Sequence, residues 1–505
     1  MSTRISTTPP VEQARVAAPR VVTGAALLRS RAARRALLGV LGLAGLLVGV
    51  GMVADSGPGL SSDGRTTVVV FTVAVWAWVC TKVDDTYIAL GAAVALVLSG
   101  VLSTEGLFET LGDDTVWLLL AAFVIAAGVT SSGLSTRATA YVVSAARTPR
   151  QLAHLLTGAL VVTTFAVPST SGRAALALPV FLCLARVFAD RPQLVRALAL
   201  LFPTVILLSA VGSLLGAGAH LVTSEVLRTA TGEGISFVRW LLLGLPLAVV
   251  ASHAAAELVL VMFTSRDERR RRLMLTASDF AADSPSPVTG PLSVAESRAA
   301  LLLATVVLLW CSEPLHGVDP AVVALIGALV ATSPRYGSVS LSSGLKAAPW
   351  SLLLFLAATL ALGAALTSSG AADWFAGALF GGFTGGGAAI PFLVVVVLVS
   401  TALHLLVQSR SARSSVLVPI VVALAPAVGI SPVAAAFAST AAAGFCHTLP
   451  SSAKPVALFA KVEDAETYTA KDLLRLSLLL APLSAALVLL FSLVVWPLLG
   501  MPYRA

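Results

Sequence analysis

The chain has 505 residues, of which 57% are hydrophobic and only 11% charged, and its mean hydropathy is +0.93. A soluble domain carries about 25% charged residues, so the composition excludes a soluble enzyme and predicts an all-α polytopic membrane protein. The formal net charge of +8 does not indicate nucleic-acid binding, because seven arginines fall in the first 35 residues and five more at 265–272. Such clusters are loop charge that sets membrane orientation.

Residues 1–35 are rich in Ser, Thr, Pro and Arg, which predicts a basic cytoplasmic tail before a first membrane helix at 36–54. A first transmembrane half is predicted over 36–264, a polar cytoplasmic linker over 265–297 and a second half over 298–500. Two pairs of apolar segments, at 151–190 and 387–430, are each joined by a very short polar tip and are predicted to be re-entrant helical hairpins.

With each hairpin returning to its own side, the chain makes eleven crossings. The basic loops then fall on one face and the acidic loops on the other, which places the N-terminus in the cytoplasm and the C-terminus outside the plasma membrane.

The two halves share short sequences in the same order. TSSG occurs at 130–133 and again at 367–370, and a Ser-x-Ser-x-Arg tip followed by a proline occurs at 169–179 and at 409–419. Each serine, arginine and proline of the second motif lies 240 positions after its counterpart in the first. Because one half contains an odd number of crossings, the second copy is predicted to be inverted, which is the architecture of secondary transporters.

The hairpin tips carry hydroxyl groups directly before a helix, where free backbone N–H groups and the positive end of the helix dipole attract anions. Ordinary N-capping is the alternative for any one of these residues. The hydroxyl-bearing candidates for anion binding are Ser169, Thr170, Ser171, Ser409 and Ser411.

Four basic residues are predicted to lie at membrane depth, where a cation costs roughly 2.5 to 3.5 kcal/mol. Glu257 is the only clear carboxylate well inside a predicted span, so a bound anion is favoured over internal ion pairs or snorkelling as their partner. These candidates are Arg173, Arg410, Arg413 and Lys454.

Glycine, proline and small polar residues interrupt two predicted spans, at 212–220 and 447–455. Such breaks are typical of transporter helices that line a site. The candidates there for a coupling or secondary site are Gly216, His220, His447 and Pro455. Neutral histidines bonded inside the bundle are the alternative, and His253 with Glu257 is expected to form a local pair rather than a proton relay.

Common catalytic sequences are absent: the chain contains no HExxH, GxSxG, Walker A or GxGxxG sequence before a helix. The four cysteines show neither CxxC nor Cys/His spacing, so neither a disulfide framework nor a zinc site is predicted. We therefore expect a protein that is not an enzyme, needs no organic cofactor and draws its energy from a gradient or from exchange.

Several stretches together resemble the divalent anion:sodium symporter family. They are VWLLLAAFVIAAGVTSSGLSTR at 116–137, PSTSGRAALALPV at 168–180, AVGSLLGAGAHL at 210–221, SARSSVLVPI at 411–420 and GFCHTLPSSAKPVALF at 444–459. The resemblance implies transport of dicarboxylates, citrate, sulfate or related anions, usually with sodium. It also implies a homodimer whose transport domain moves like an elevator.

The chain departs from the family where sodium would bind. The family's Ser-Asn-Thr at each tip corresponds here to residues 169–171 and 409–411, and both asparagines are missing. The family's Thr-Pro-Pro-Asn turn corresponds to residues 217–220 and 453–456, which bring His220 and Lys454. A sodium site is therefore doubtful, and Arg410 or Lys454 is predicted to supply the fixed positive charge.

The predicted function is a secondary transporter that moves a small divalent anion, either with a coupling ion or by sodium-independent exchange. One alternative is a cation/proton antiporter of the same superfamily, which would require buried acidic ligands. The other is a non-transporting membrane sensor or scaffold whose basic tail binds lipid. The expected partners are the anion, the bilayer and a second copy of the chain, without nucleic acid.

Overall fold

The computed structural model describes residues 60–81, 83–274, 276, 290–372, 374, 388–460, 462 and 467–504. The predicted tail at 1–35 and the predicted first membrane helix at 36–54 lie outside these residues, as does much of the predicted linker. The described residues form helices, with one isolated bridge between Ile430 and Arg504 and no strand. This confirms the predicted all-α class.

The first half of the described chain forms eleven α-helices. They are α1 (Ser62–Cys80), α2 (Asp85–Leu98), α3 (Thr104–Glu109), α4 (Asp114–Ser131), α5 (Leu134–Ser144), α6 (Pro149–Ala166), α7 (Thr170–Val187), α8 (Pro192–Leu208), α9 (Gly218–Thr231), α10 (Phe237–Phe263) and α11 (Arg266–Arg270).

The second half continues the same chain order. Its described helices are α12 (Val294–Cys311), α13 (Glu313–His316), α14 (Pro320–Ala331), α15 (Leu341–Ala347), α16 (Trp350–Ser368), α17 (Ala389–Ala402), α18 (Arg410–Leu424), α19 (Pro432–Ala442), α20 (Lys454–Ala460), α21 (Ala470–Leu490) and α22 (Trp496–Leu498).

The helices of the two halves follow one another in matching order. Helix α1 corresponds to α12, α4 to α16 and α7 to α18. The repeated TSSG sequences adopt the same conformation, because Gly133 and Gly370 both have a positive φ, of 81° and 73°, just after α4 and α16. Only glycine adopts this conformation without strain, which explains why both copies carry it.

The two halves interlock rather than stand side by side. Helix α9 of the first half packs against α18 of the second, and α20 of the second packs against α7 and α8 of the first. A hydroxyl–hydroxyl contact of 2.5 Å between Thr223 and Thr440 joins α9 to α19. Each hairpin is therefore held by the helix that follows the break in the other half.

Both predicted helix breaks are present in the structure. The chain leaves the α-helix after Leu208, forms two 3-10 turns and re-enters a helix at Gly218, and the matching interruption separates α19 from α20. Gly216 is required for the first break, because a Cβ there would lie 2.0 Å from the backbone oxygen of Ala210. Residues 209–217 of the first break are buried, so their backbone groups must be satisfied inside the protein.

Aromatic rings fix the short helix α20 beside the first hairpin. Phe459 of α20 stacks on Phe202 of α8 at 5.4 Å and meets Phe181 of α7 edge-on at 5.5 Å. All three rings are fully buried. This packing determines where the start of α20, and with it Lys454, lies relative to the hairpin tip.

Eight described helical segments are long and apolar enough to cross a membrane. Four shorter apolar helices, including α2 and α17, accompany them. A multi-pass membrane protein is thereby supported, whereas eleven crossings, the re-entry of the hairpins and the inverted relation of the halves stay predictions.

Candidate functional site

The two hairpin tips open into one shared cavity of about 450 Å3. Ser169, Thr170 and Ser171 line it from the first tip, and Ser409, Arg410 and Ser411 line it from the second. In the sequence these tips lie in different halves of the chain. The structure therefore brings together six of the eight tip residues that were predicted to bind the anion.

The cavity wall consists mainly of helix starts. Five of the helices that begin here are 14 to 19 residues long, and the short α20 also begins here. A helix N-terminus carries unpaired backbone N–H groups and about half a positive charge. The helices concerned, each with lining residues at its start, are α2 (84–86), α7 (168–171), α9 (217–218), α16 (349–352), α18 (408–411) and α20 (451–455).

The serine at each tip caps its own helix. The Ser169 hydroxyl accepts a hydrogen bond from the backbone N–H of Gly172 at 3.3 Å, and the Ser409 hydroxyl accepts one from Ala412 at 3.2 Å. Capping and ligand binding are compatible, because a hydroxyl that accepts a hydrogen bond still has its own proton to donate.

Arg410 extends from the second tip toward the broken helices. Its Nη2 donates to the carbonyl oxygens of Leu207 and Gly444, each at 2.8 Å. Its Nε and Nη1 are buried and have no hydrogen-bond partner in the described part of the chain. A buried unpaired donor is costly, so an acceptor group that reached these atoms would be stabilised.

Lys454 is the first residue of α20 and its side chain is exposed within the lining. Pro455, the next residue, also lines the cavity, beside Ser451 and Ser452. Lys454 thus reaches the cavity from the end of the second helix break, and Arg410 reaches it from the second hairpin tip.

Arg173 and Arg413 lie behind the cavity wall rather than in it. Arg173 is 1% exposed, and its guanidinium donates to the Thr163 hydroxyl, the Ser209 hydroxyl and the carbonyl oxygens of Leu160 and Ile206 at 2.5 to 3.0 Å. The sequence analysis predicted a bound anion as the partner of Arg173. In the structure, backbone and hydroxyl oxygens of the protein take that place.

Arg413 is similarly enclosed. It is fully buried, and its Nη2 lies 2.5 Å from the sulfur of Cys446 while its Nη1 lies 3.5 Å from the carbonyl oxygen of Phe445. We therefore leave Arg173 and Arg413 out of the proposed contact set.

The two candidate histidines of the breaks lie outside the cavity lining. His220 is buried, places Nδ1 2.9 Å from the carbonyl oxygen of Ser213 and stacks on Trp240 at 4.9 Å. His447 is also buried and packs against Phe445. Gly216 shapes the first break, as described above, and is not a lining residue.

His253 and Glu257 are connected through a residue that the sequence did not single out. His154 of α6 places its Nδ1 2.8 Å from Nδ1 of His253 and its Nε2 2.5 Å from Glu257, which also accepts from Arg150 at 2.6 Å. In place of the expected local pair of His253 with Glu257, His154 of α6 contacts both residues of α10, away from the cavity lining.

Among the charged residues of the lining, sequence reasoning missed Asp84 and Asp85 at the start of α2. The available signal was the pair of acids directly before an apolar segment, which is typical of a helix start. What the sequence could not show is that this helix start faces the same cavity as both hairpin tips.

Comparison with known proteins agrees with this arrangement. The family model described as the sodium:sulfate symporter transmembrane region matches residues 42–502. The chain belongs to this family. The predicted resemblance and the predicted class, a secondary transporter of this family, are thereby confirmed.

Curated relatives of this symporter-family chain share about a fifth of its residues. A membrane protein of Cupriavidus necator is 22% identical over 486 residues, covering 91% of this chain and 92% of the relative. The sodium-dependent dicarboxylate transporter SdcS of Staphylococcus saprophyticus is 22% identical and covers 77% and 79%. The putative malate transporter YflS of Bacillus subtilis is 21% identical and covers 66% and 71%.

Two solved transporters have a similar fold. The YdaH transporter of Alcanivorax borkumensis matches with a TM-score of 0.51 at 16% identity, covering 88% of this chain and 100% of that one. MtrF of Neisseria gonorrhoeae matches with a TM-score of 0.50 at 11% identity, covering 88% and 96%. At these identities the likeness concerns the fold of this symporter-family chain and not its substrate.

Proposed function

We propose that this protein transports a small divalent anion, a di- or tricarboxylate or a sulfate-like oxyanion, which binds in the cavity between the hairpin tips. One observation carries the proposal: five helix starts, each of a helix of 14 to 19 residues, line one cavity together with Arg410 and Lys454. Helix N-termini bind anions through their free N–H groups, and a guanidinium binds carboxylate or sulfate oxygens with charge-assisted hydrogen bonds.

The proposed contacts are hydroxyl and cationic groups that line the cavity. The two tips supply hydroxyls from both halves of the chain, and Arg410 and Lys454 supply the positive charge that a dianion needs. The residues proposed to contact the anion are Ser169, Thr170, Ser171, Ser409, Arg410, Ser411 and Lys454. Two relatives are named for dicarboxylate and malate transport, which makes dicarboxylates the first substrates to test.

The cavity does not fit a sodium ion beside the second tip. Sodium requires oxygen ligands, yet Arg410 occupies two backbone oxygens there, those of Leu207 and Gly444. A permanently charged guanidinium would also repel a nearby cation. We therefore propose that Arg410 takes the place of the cation and that transport proceeds without sodium, as exchange.

Uptake of labelled succinate into proteoliposomes tests both parts of this proposal. The vesicles are preloaded with dicarboxylates, citrate and sulfate, and uptake is measured in sodium buffer and in choline buffer. Equal uptake in both buffers is expected. Uptake only in sodium would contradict the role given to Arg410, and no exchange with any preloaded anion would contradict the anion-transport proposal.

A cation/proton antiporter is the second candidate, because Asp84 and Asp85 line the same cavity. Their position at a helix start weighs against it, since the surrounding N-termini and two basic residues repel a cation. Acidification of vesicles driven by a sodium or potassium gradient would favour this candidate over anion transport.

Larger-scale properties are proposed on the strength of the family. We propose eleven crossings, a homodimer and an elevator-type movement of the hairpins and broken helices against the remaining helices. The interlocked packing of α7 with α20 and of α18 with α9 supports this proposal, because it joins the elements that line the site into one unit.

A further inference from the structure

One lining carboxylate faces the groups proposed to bind the anion. Asp85 is the first residue of α2 and lines the same cavity as Ser409 and Lys454. Both of these groups belong to the proposed contact set. A negative charge therefore already lies at the edge of a site for negative ions.

Helix capping does not account for this carboxylate. The N-cap of α2 is Asp84, whose Oδ1 accepts hydrogen bonds from the backbone N–H groups of Thr86 at 2.9 Å and Tyr87 at 3.4 Å. The side chain of Asp85 has no part in these bonds. A negative charge in the first turn interacts favourably with the dipole of α2, but this interaction does not explain why the residue lines the cavity.

Acids and bases are equal in number among the described residues that line the cavity. The charged ones are two acids, Asp84 and Asp85, and two bases, Arg410 and Lys454. A dianion that binds among these bases must accept the repulsion of the Asp85 carboxylate.

We propose that Asp85 is a tethered internal anion that competes with the transported anion for the hydroxyl and cationic groups of the cavity and thereby sets its affinity. This inference rests on the proposed function of the cavity.

The competition also joins two groups of helices. Asp85 belongs to α2, which packs against α1 and α16, whereas Ser409 and Lys454 begin α18 and α20. The cavity is lined by both groups, with Asp85 on one side and Ser409 and Lys454 on the other.

Anion binding by purified full-length protein in detergent tests the proposal. The dissociation constants of sulfate and of fumarate, both of which are dianions at pH 8, are measured by calorimetry at that pH for the unaltered protein and for Asp85→Asn. Removal of the competing charge is expected to lower the dissociation constant of the anion that binds by roughly tenfold.

Asp84→Asn is the matched control. It removes the same charge from the same cavity, and asparagine caps a helix about as well as aspartate. We expect a clearly smaller gain in affinity than for Asp85→Asn. Asp85→Glu keeps the charge and is expected to bind no more tightly than the unaltered protein, and Asp85→Ser is a second neutral variant if Asp85→Asn does not fold.

The outcomes are distinguishable. Equal gains in affinity for Asp84→Asn and Asp85→Asn would mean that any negative charge in the cavity has the same effect, which would overturn the specific role of Asp85. Unchanged or weaker binding by both neutral Asp85 variants would overturn it as well. Failure of every folded protein, including the unaltered one, to bind either anion would instead count against the proposed function itself.

Discussion

The guanidinium of Arg410 donates a hydrogen bond of 2.8 Å to the carbonyl oxygen of Leu207, which lies 203 positions earlier in the other half of the chain. A second bond of the same length reaches Gly444, at the break that precedes α20. One side chain of a hairpin tip is thus tied to both breaks, while its Nε and Nη1 have no partner among the described residues.

Replacement of Arg410 by alanine is expected to weaken anion binding by at least about 100-fold, because two or more charge-assisted hydrogen bonds are lost. Arg410→Lys retains the charge without the planar fork, so its anion affinity should lie between those of the unaltered protein and Arg410→Ala. The dissociation constant measures the effect. Lys471→Ala, which removes an exposed cation at the start of α21, is the control, and equal losses for Arg410→Ala and this control would contradict the assignment.

Replacement of Lys454 by methionine separates binding from folding. The side chain is exposed at the start of α20, so we expect an unchanged thermal unfolding midpoint together with roughly tenfold weaker anion binding. Both quantities are measured on the same purified sample. Unchanged affinity would remove Lys454 from the contact set.

Replacement of Arg173 by methionine should have the opposite pattern. It leaves the Leu160 and Ile206 carbonyl oxygens and two hydroxyls without their donor in a buried region, which costs about 3 kcal/mol or more of unfolding free energy. We expect a lower thermal unfolding midpoint than for Lys454→Met. A variant that is as stable as the unaltered protein but does not bind anions would show that Arg173 contacts the substrate after all.

Replacement of Gly216 by alanine tests the first helix break. The added Cβ would meet the backbone oxygen of Ala210 at 2.0 Å, so the turn must shift at an expected cost of about 2 kcal/mol or more. Gly158→Ala is the control, because its Cβ would meet nothing within 4 Å and helix propensity favours it by about 0.5 to 1 kcal/mol. The two thermal unfolding midpoints should shift in opposite directions.

The proposed orientation predicts where the ends of α10 lie. Positive charge at 266–272 places its C-terminal end in the cytoplasm. In a background with the four native cysteines replaced, Glu233→Cys is expected to react with an impermeant maleimide in intact cells, whereas Arg272→Cys should react only after lysis. The reverse pattern would invert the proposed topology.

Composition, charge and short repeats in the sequence determined the class of protein and most of the order of its helices, tips and breaks along the chain. Low charge density predicts membrane helices because hydrocarbon does not solvate charge, and the paired tips and TSSG sequences predict the repeat that the matching helix order displays. The breaks at 212–220 and 447–455 were predictable because glycine and proline interrupt helical hydrogen bonding.

Only the tertiary structure decided which of the candidate residues share a cavity. Arg173 and Arg410 both belong to hairpin tips, yet Arg173 is enclosed by four oxygen acceptors while Arg410 lines the cavity. Asp85 joins Arg410 there from a helix start in the other half of the chain. Local sequence determines where a helix begins through capping and backbone strain, but it is the long-range packing of one half against the other that determines what the start of that helix faces.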